Sequence, residues 1–252
     1  MEPIALRTLV VNGKGGCGKT TIATNLAAAY ARLGHRVVLI DHDAQASSAQ
    51  WLEQRGAPLP PIHLVEAHQR TGMYTTRAFA QRMPAMRTAS SSTRPRPSVI
   101  ANSIPLLRGV DAIIVPLLPS SIDIRAGARF IAQLLTHRLY RARPIPVAVV
   151  ANRVKQNTLT HSKLLHFLDC LDVPAIATFR DSSVYTRLAD EGSGIFDIEA
   201  DASVTRELKQ WRNVLNWIDQ AKRGRTDDDI TIRRSPRAAS GHPRLARASV
   251  PT

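Results

Sequence analysis

Apolar residues follow two rhythms along this chain. Short, nearly continuous runs mark LRTLVVN (6–12), HRVVLID (35–41), IHLVEA (62–67), VDAIIVPLL (110–118), IPVAVVANR (145–153) and VPAIATF (173–179). Runs of that length without alternation predict strands buried on both faces, as in a parallel sheet. Between them the apolar positions space as on helices, over 20–34, 123–138, 158–171 and 183–191. The first of these helices is rich in Ala and Leu and stops at Gly34. Alternation of this kind predicts an α/β fold, a doubly wound and mostly parallel sheet with helices on both faces.

A last helix is predicted over 203–221. There Val204, Leu208, Trp211, Leu215 and Ile218 recur at spacings of four and three and form one apolar stripe. Such a stripe predicts packing on the sheet rather than membrane anchorage. From Lys222 onward the chain is polar, rich in Arg, Pro and Ser, and without apolar period. The organisation expected is one domain over 1–221 and a disordered basic tail over 222–252. One internal segment breaks the pattern: MRTASSSTRPRPS (86–98) stands where a buried strand is wanted. Pro95 and Pro97 cannot donate to a ladder, so a poor strand is expected there.

Composition changes the picture in two ways. With 252 residues and 44% hydrophobic content, the chain can bury one core. It has no apolar run long enough for a membrane span and no signal-peptide order at its start. Its two cysteines, Cys17 and Cys170, form no disulfide framework and fit a reducing cytoplasm. The formal charge is +14, which predicts attraction to polyanions, nucleic acid first among them. The charge is uneven. Residues 67–110 hold seven arginines and no acid, and the tail from Lys222 contributes +5 against +9 for the body.

The chemistry is concentrated in NGKGGCGKTT (12–21). Gly13, Lys14, Gly15, Gly16, Cys17, Gly18, Lys19 and Thr20 satisfy G-x-x-x-x-G-K-[ST] between a predicted strand and a predicted helix. Glycines let the backbone N–H groups turn inward on phosphate oxygens, and the helix N-terminus adds positive potential. Lys19 is placed to reach the β- and γ-phosphates, and the Thr20 hydroxyl to ligate Mg²⁺. Thr21 follows within the same cradle. The predicted cofactors are ATP and Mg²⁺.

A lysine at the head of the loop makes this Lys-Gly-Gly-x-Gly-Lys-Thr, and the chain resembles the deviant Walker A, or ParA/MinD, class of P-loop ATPases. The resemblance implies that Lys14 reaches across a dimer interface to the ATP of the other subunit, so that ATP drives homodimerisation. It extends to LIDHDAQASSAQW (39–51), similar to the family's Asp-x-Asp-Pro-Gln box with Ala44 in place of proline. Asp43 is implied to position or activate the attacking water, and Asp41 to lie near the Mg²⁺ shell. VDAIIVPLLPSSIDIRAG (110–127) resembles the strand and Pro-Ser-x-x-Asp turn of the family. VVANRV (149–154) resembles the strand end that places Asn152 and Arg153 beside adenine; Asn152 also reads as an ordinary buried or turn asparagine. FRDSSVYTRLADEGSGIFD (179–197) resembles the last strand and helix.

One family element is missing. A Walker B strand ending in Asp-Thr-Pro belongs before Val110, yet ASSSTRPRP (89–97) carries no acid. Written as generic codons and read one frame over, residues 89–94 permit three apolar residues followed by Asp-Thr-Pro. We read residues 86–100 as out of frame on that ground, the alternative being a naturally diverged loop that matches under the shift by chance, with the family pattern resuming by about Leu106. The functions implied are, first, a ParA-like ATPase that binds nonspecific DNA and positions a cargo with a ParB-like or adaptor partner, cytoplasmic and nucleoid-associated. Candidate DNA contacts are Arg180, Arg187, Arg206, Lys209 and Arg212. The alternatives are a catalytically impaired nucleotide-dependent scaffold, a MinD-like membrane-cycling ATPase, and a redox relative that would need cluster-forming cysteines. No membrane partner is expected.

Overall fold

The computed structural model describes residues 5–43, 45–67, 87–92, 104–156, 158–198 and 202–234. Within 87–92, 104–105, 202–203 and 225–234 the description is of the backbone. Strands and helices alternate as β1 (Arg7–Val11), α1 (Lys19–Arg32), β2 (Val37–Asp41), α2 (Ser47–Gln54), β3 (His63–Glu66), β4 (Arg87–Ser92) and β5 (Ala112–Leu117). Then follow α3 (Ser121–Thr136), α4 (Arg138–Ala142), β6 (Val147–Val154), α5 (Leu159–Asp169), β7 (Ala175–Arg180), α6 (Ser183–Asp190) and α7 (Ala202–Arg234). The strands form one sheet in the order β3-β2-β4-β1-β5-β6-β7, parallel at every pairing. The order reverses direction around β1, and such a point leaves a crevice at the C-terminal strand ends.

Two apolar layers cover the sheet. On one face α1, α2, α6 and α7 meet the strands through Ile22, Leu26, Trp51, Leu188 and Trp211. On the other, α3 and α5 contribute Phe130, Ile131, Leu134, Leu164 and Leu168. The stripe on α7 is buried as expected: Val204, Leu208, Trp211, Leu215 and Ile218 all lie in the core, and Trp211 stacks on Phe179 with centroids 4.5 Å apart. The helix itself runs beyond the boundary expected at 221, to Arg234. No proline interrupts it until Pro236, so the backbone can go on where the apolar period has stopped. Residues 235–252 of the expected tail lie outside the described residues.

The segment RTASSS corrects the expectation of a poor strand. It forms β4 and pairs with β1 from Arg7↔Thr88 to Val11↔Ser92, and with β2 from Val37↔Arg87 to Asp41↔Ser91. The two flanking strands each present a full row of main-chain donors and acceptors, and leaving those rows unpaired inside a sheet costs more than a weak strand propensity. Pro95 and Pro97 lie outside the described residues.

The ladder between β1 and β5 ends at Val10↔Ile114. Pro116 therefore sits beyond that pairing, where its missing N–H costs nothing on the β1 side. The strands part there to admit the loop that follows β1.

Candidate nucleotide site

The loop from Gly13 to Gly18 leaves β1 at the crevice and feeds directly into α1. Gly16 and Gly18 have φ of +73° and +93°, in the left-handed region that favours glycine. A Cβ at Gly18 would also run into the Asn152 amide. Asn12, buried, anchors the entry: its Nδ2 donates to the Pro116 carbonyl at 2.6 Å and its Oδ1 accepts from Lys14 N at 3.0 Å. Asn152, buried at the end of β6, donates to the Cys17 carbonyl at 2.9 Å. The loop is thus pinned at both shoulders by asparagines from neighbouring strand ends. Among the described residues, the N–H groups of Gly15, Gly16 and Gly18 have no main-chain acceptor. Free N–H groups at a helix N-terminus make a cradle for phosphate, so the residues fit a nucleoside triphosphate.

The two lysines of the loop stand apart. Lys19 is buried, and its Nζ donates to the Lys14 carbonyl at 2.8 Å and approaches Cys17 Sγ at 3.7 Å. Lys14 lies at the rim with its side chain 42% exposed, and its Nζ is 3.4 Å from Asp123 Oδ1. Asp123 stands in the first turn of α3, where the Ser120 hydroxyl accepts from its N–H and donates to its carboxylate. Cys17 is buried, with its thiol donating to the Lys14 carbonyl at 3.3 Å. Burial pushes that thiol up, against the pull of the Lys19 ammonium. Cys170 is exposed.

Asp41 and Asp43 leave the end of β2 side by side and are buried. Asp41 accepts main-chain N–H bonds on both oxygens, from Asp43 at 2.9 Å and Ser48 at 3.1 Å. It thereby fixes the turn and ties down the start of α2. Asp43 accepts from Gln45 N at 3.0 Å. Ala46 at φ +50° takes a left-handed turn before α2; Ala44 lies outside the described residues. Thr20 and Thr21 open onto a cleft of about 540 Å³ whose other walls include Ser47, Gln50, Trp51 and Tyr185.

The loop residues, Asp41, Asp43 and Asn152 therefore come together at one end of the sheet, as their motifs predict. Arg153 does not join them: at φ +53° its guanidinium is held by Asp181 at 3.2 Å. Asn152 spends its N–H on the loop itself, in line with the buried-asparagine reading. Arg180, a candidate DNA contact, is paired with buried Glu207 at 2.7 Å. Sequence reasoning gave no role to Asn12 or Asp123. The available signals were an Asn directly before the first glycine and a Ser-x-x-Asp spacing at a helix start. The acid-free sequence of β4 ends at Ser92, opposite Val11 and so beside the loop entry.

Known proteins share this fold. The Maintenance of carboxysome distribution protein A of Halothiobacillus neapolitanus is 28% identical over 216 residues, covering 83% of this chain and 95% of that one. The MinD cell division protein of Aquifex aeolicus superposes with a TM-score of 0.64 at 17% identity, over 84% of this chain and 98% of its own. The septum site-determining protein MinD of Pyrococcus horikoshii, solved with Mg-ADP, gives 0.63 at 14% identity, over 84% and 96%. The family model of the CobQ/CobB/MinD/ParA nucleotide binding domain matches residues 8–187, from β1 into α6 and across every strand of the sheet. The chain belongs to that family.

Proposed function

We propose that this protein is a ParA-like positioning ATPase whose homodimer is assembled around ATP and Mg²⁺. One observation carries the reading: of two loop lysines, Lys19 is buried within its own loop and Lys14 stands at the rim, its side chain partly exposed and its amine against Asp123. A buried lysine serves the phosphates cradled by its own backbone. A rim lysine, once it leaves its carboxylate partner, can neutralise phosphates presented by a second protomer, where two triphosphates brought face to face require added positive charge. In this reading Thr20 ligates Mg²⁺, Asp41 lies near its shell, and Asp43 positions the attacking water. Gly13 to Thr21 hold the phosphates, with Asn152 bracing the loop at the Cys17 carbonyl.

The dimer coats nonspecific DNA, and an adaptor protein stimulates its release. The cargo class is that of the positioning relatives, among which the Halothiobacillus protein is named for carboxysome distribution. The net charge of +14 supports the DNA partner, because phosphate contacts need no base reading. Cytoplasmic, nucleoid-associated localisation follows from that partner. The test is sedimentation of the full chain with Mg-ATP. The parent is expected to dimerise, the Lys14→Ala variant to bind nucleotide but stay monomeric, and the Lys19→Ala variant to lose nucleotide. Dimerisation of Lys14→Ala at the parent's concentration dependence would end the proposal.

A second reading, a nucleotide-dependent scaffold with impaired hydrolysis, is favoured by one feature: β4 ends without an acid in a stretch of 44 residues, 67–110, that contains none. Binding through the loop survives that loss, whereas Mg²⁺ placement and water activation are weakened. For the membrane-cycling alternative, no helix among the described residues is long and apolar enough to cross a membrane, and the apolar stripe of α7 is spent on the core.

A further inference from the structure

Several cations of this protein are matched by acids. Arg55 and Arg32 share Asp197, Arg153 and Lys155 share Asp181, and Arg180 holds Glu207. The layer formed by α3, α4 and α5 is different. Between Ile124 and Leu168 the chain carries eight Lys or Arg and not one Asp or Glu. Arg125, Arg129, Arg138, Arg141, Arg143 and Lys163 from this span are all exposed. Among the described residues none of these six has a carboxylate within ion-pair distance.

Their placement makes a strip. Arg125 and Arg129 are one turn apart on α3, so both project from the same side of the helix. α4 begins two residues after α3 ends, with Arg138 and Arg141 again a turn apart and Arg143 just beyond it. α3 packs against both α4 and α5, and the apolar sides of α3 and α5 are buried on one face of the sheet. The cations are thereby left on the solvent side of a single layer. The 16 residues of α3 alone span about 24 Å at 1.5 Å per residue, a length that meets about seven phosphates of one DNA strand at 3.4 Å spacing.

We infer that the α3–α4–α5 layer is the surface on which this protein lies against duplex DNA. The inference rests on the DNA-coating reading above and names the face that performs it, in place of the mixed-sign surface of α6 and α7. On that other face Arg187, Arg206, Lys209 and Arg212 are interspersed with Asp190, Glu191 and Asp219. Those four also lack an ion pair among the described residues, but neighbouring acids lower the positive potential there, whereas a stretch without acids keeps it uniform and draws a polyanion more strongly. The strip begins on the helix whose first turn carries Asp123, the partner of Lys14, so in this proposal nucleotide-driven pairing of two protomers joins two strips. Joined strips bind the same duplex with the second contact made intramolecular, which makes tight DNA binding depend on ATP.

The test uses the full chain with Mg-ATP and a fluorescent mixed-sequence duplex, read by anisotropy across a salt series. One variant reverses the strip, Arg129→Glu, Arg141→Glu and Arg143→Glu; the comparison variant reverses Arg206, Lys209 and Arg212 to Glu. The strip variant is expected to lose at least tenfold in DNA affinity, and the slope of log K on log salt to fall by about three, near 0.9 per lost phosphate contact. Binding of a fluorescent ATP analogue and the melting temperature should stay at parent values, and the comparison variant should stay within threefold of the parent. If the Glu strip unfolds, the same three positions as Gln serve, with a smaller loss in the same direction. A parent that binds DNA, paired with a strip variant that binds equally well, overturns this inference and leaves the DNA reading standing. A parent that ignores DNA at low salt, or binds only phosphatidylserine vesicles, overturns both.

Discussion

At the scale of single residues, the contact with most consequence is the one that holds Lys14 at home. Its amine sits 3.4 Å from Asp123 within the same chain. A lysine engaged in cis must leave that carboxylate before it can serve a second protomer. The pair is partly exposed, and such pairs contribute on the order of 1 kcal/mol or less. Replacing Asp123 by Asn removes the charge while keeping a side chain that can pair with Ser120. ATP-driven dimerisation of Asp123→Asn should therefore tighten, by up to about fivefold. Sedimentation equilibrium over a concentration series measures it; a weaker dimer would mean that Asp123 contributes to the assembled interface instead. Residue identities in the loop were legible because phosphate binding demands glycine and lysine at set spacings. Asn12 and Asp123 were not, because their roles depend on which strand ends and helix starts the sheet order makes neighbours. Arg153 shows the converse: a motif position whose side chain an acid 28 residues downstream has claimed.

At the scale of elements, α7 was legible and β4 was not, for one physical reason. An amphipathic helix states its own buried face through a period of 3.6, so Val204 to Ile218 could be assigned to the core from spacing alone. A strand of Arg, Thr, Ala and Ser states nothing, and its place is decided by the unpaired main-chain rows of β1 and β2. What spacing could not reveal about α7 is its polar clasp. Glu207 is buried, accepts from Arg180 Nε at 2.7 Å and from the Tyr185 hydroxyl at 3.0 Å, and Tyr185 in turn accepts from Trp211 Nε1 at 3.1 Å. Burial first, and then the Glu207 charge, push the Tyr185 phenol far above its ordinary value, so it remains a donor throughout the working pH range. The clasp joins β7, α6 and α7. Its two charges are not equivalent, since Arg180 is about a third exposed and Glu207 only 1%. Arg180→Met strands a buried carboxylate and should cost about 3 kcal/mol. Glu207→Gln leaves an arginine that water can reach and should cost about 1 kcal/mol. For a chain of this size the difference should separate the two melting temperatures by several degrees, at roughly 2–4 °C per kcal/mol. Equal losses would show that the arginine, not the carboxylate, bears the burial penalty.

At the scale of the whole molecule, the fold gathers the strand ends that carry the candidate site residues at one end of the sheet and brings a strand without chemistry in among them. β4 lies between β1, which delivers the phosphate loop, and β2, which delivers Asp41 and Asp43. β2 is apolar up to its last residue and β1 is apolar over its last three, whereas β4 reads RTASSS. Ser92, the last described residue of β4, stands opposite Val11 at the end of β1, where the loop begins. The out-of-frame reading of residues 86–100 makes two demands at once, apolar residues for a central strand and an Asp immediately past its end. The shifted codons can supply both. Two unrelated requirements met by one shift, at the one strand whose sequence contradicts its position, argue for a displaced frame over a diverged loop. Resequencing the gene across these codons is the measurement. Codons that forbid three apolar residues followed by Asp in the shifted frame would refute the shift. The chain as it stands should then bind Mg-ATP with a turnover that DNA does not raise, as a scaffold does and a cycling ATPase does not.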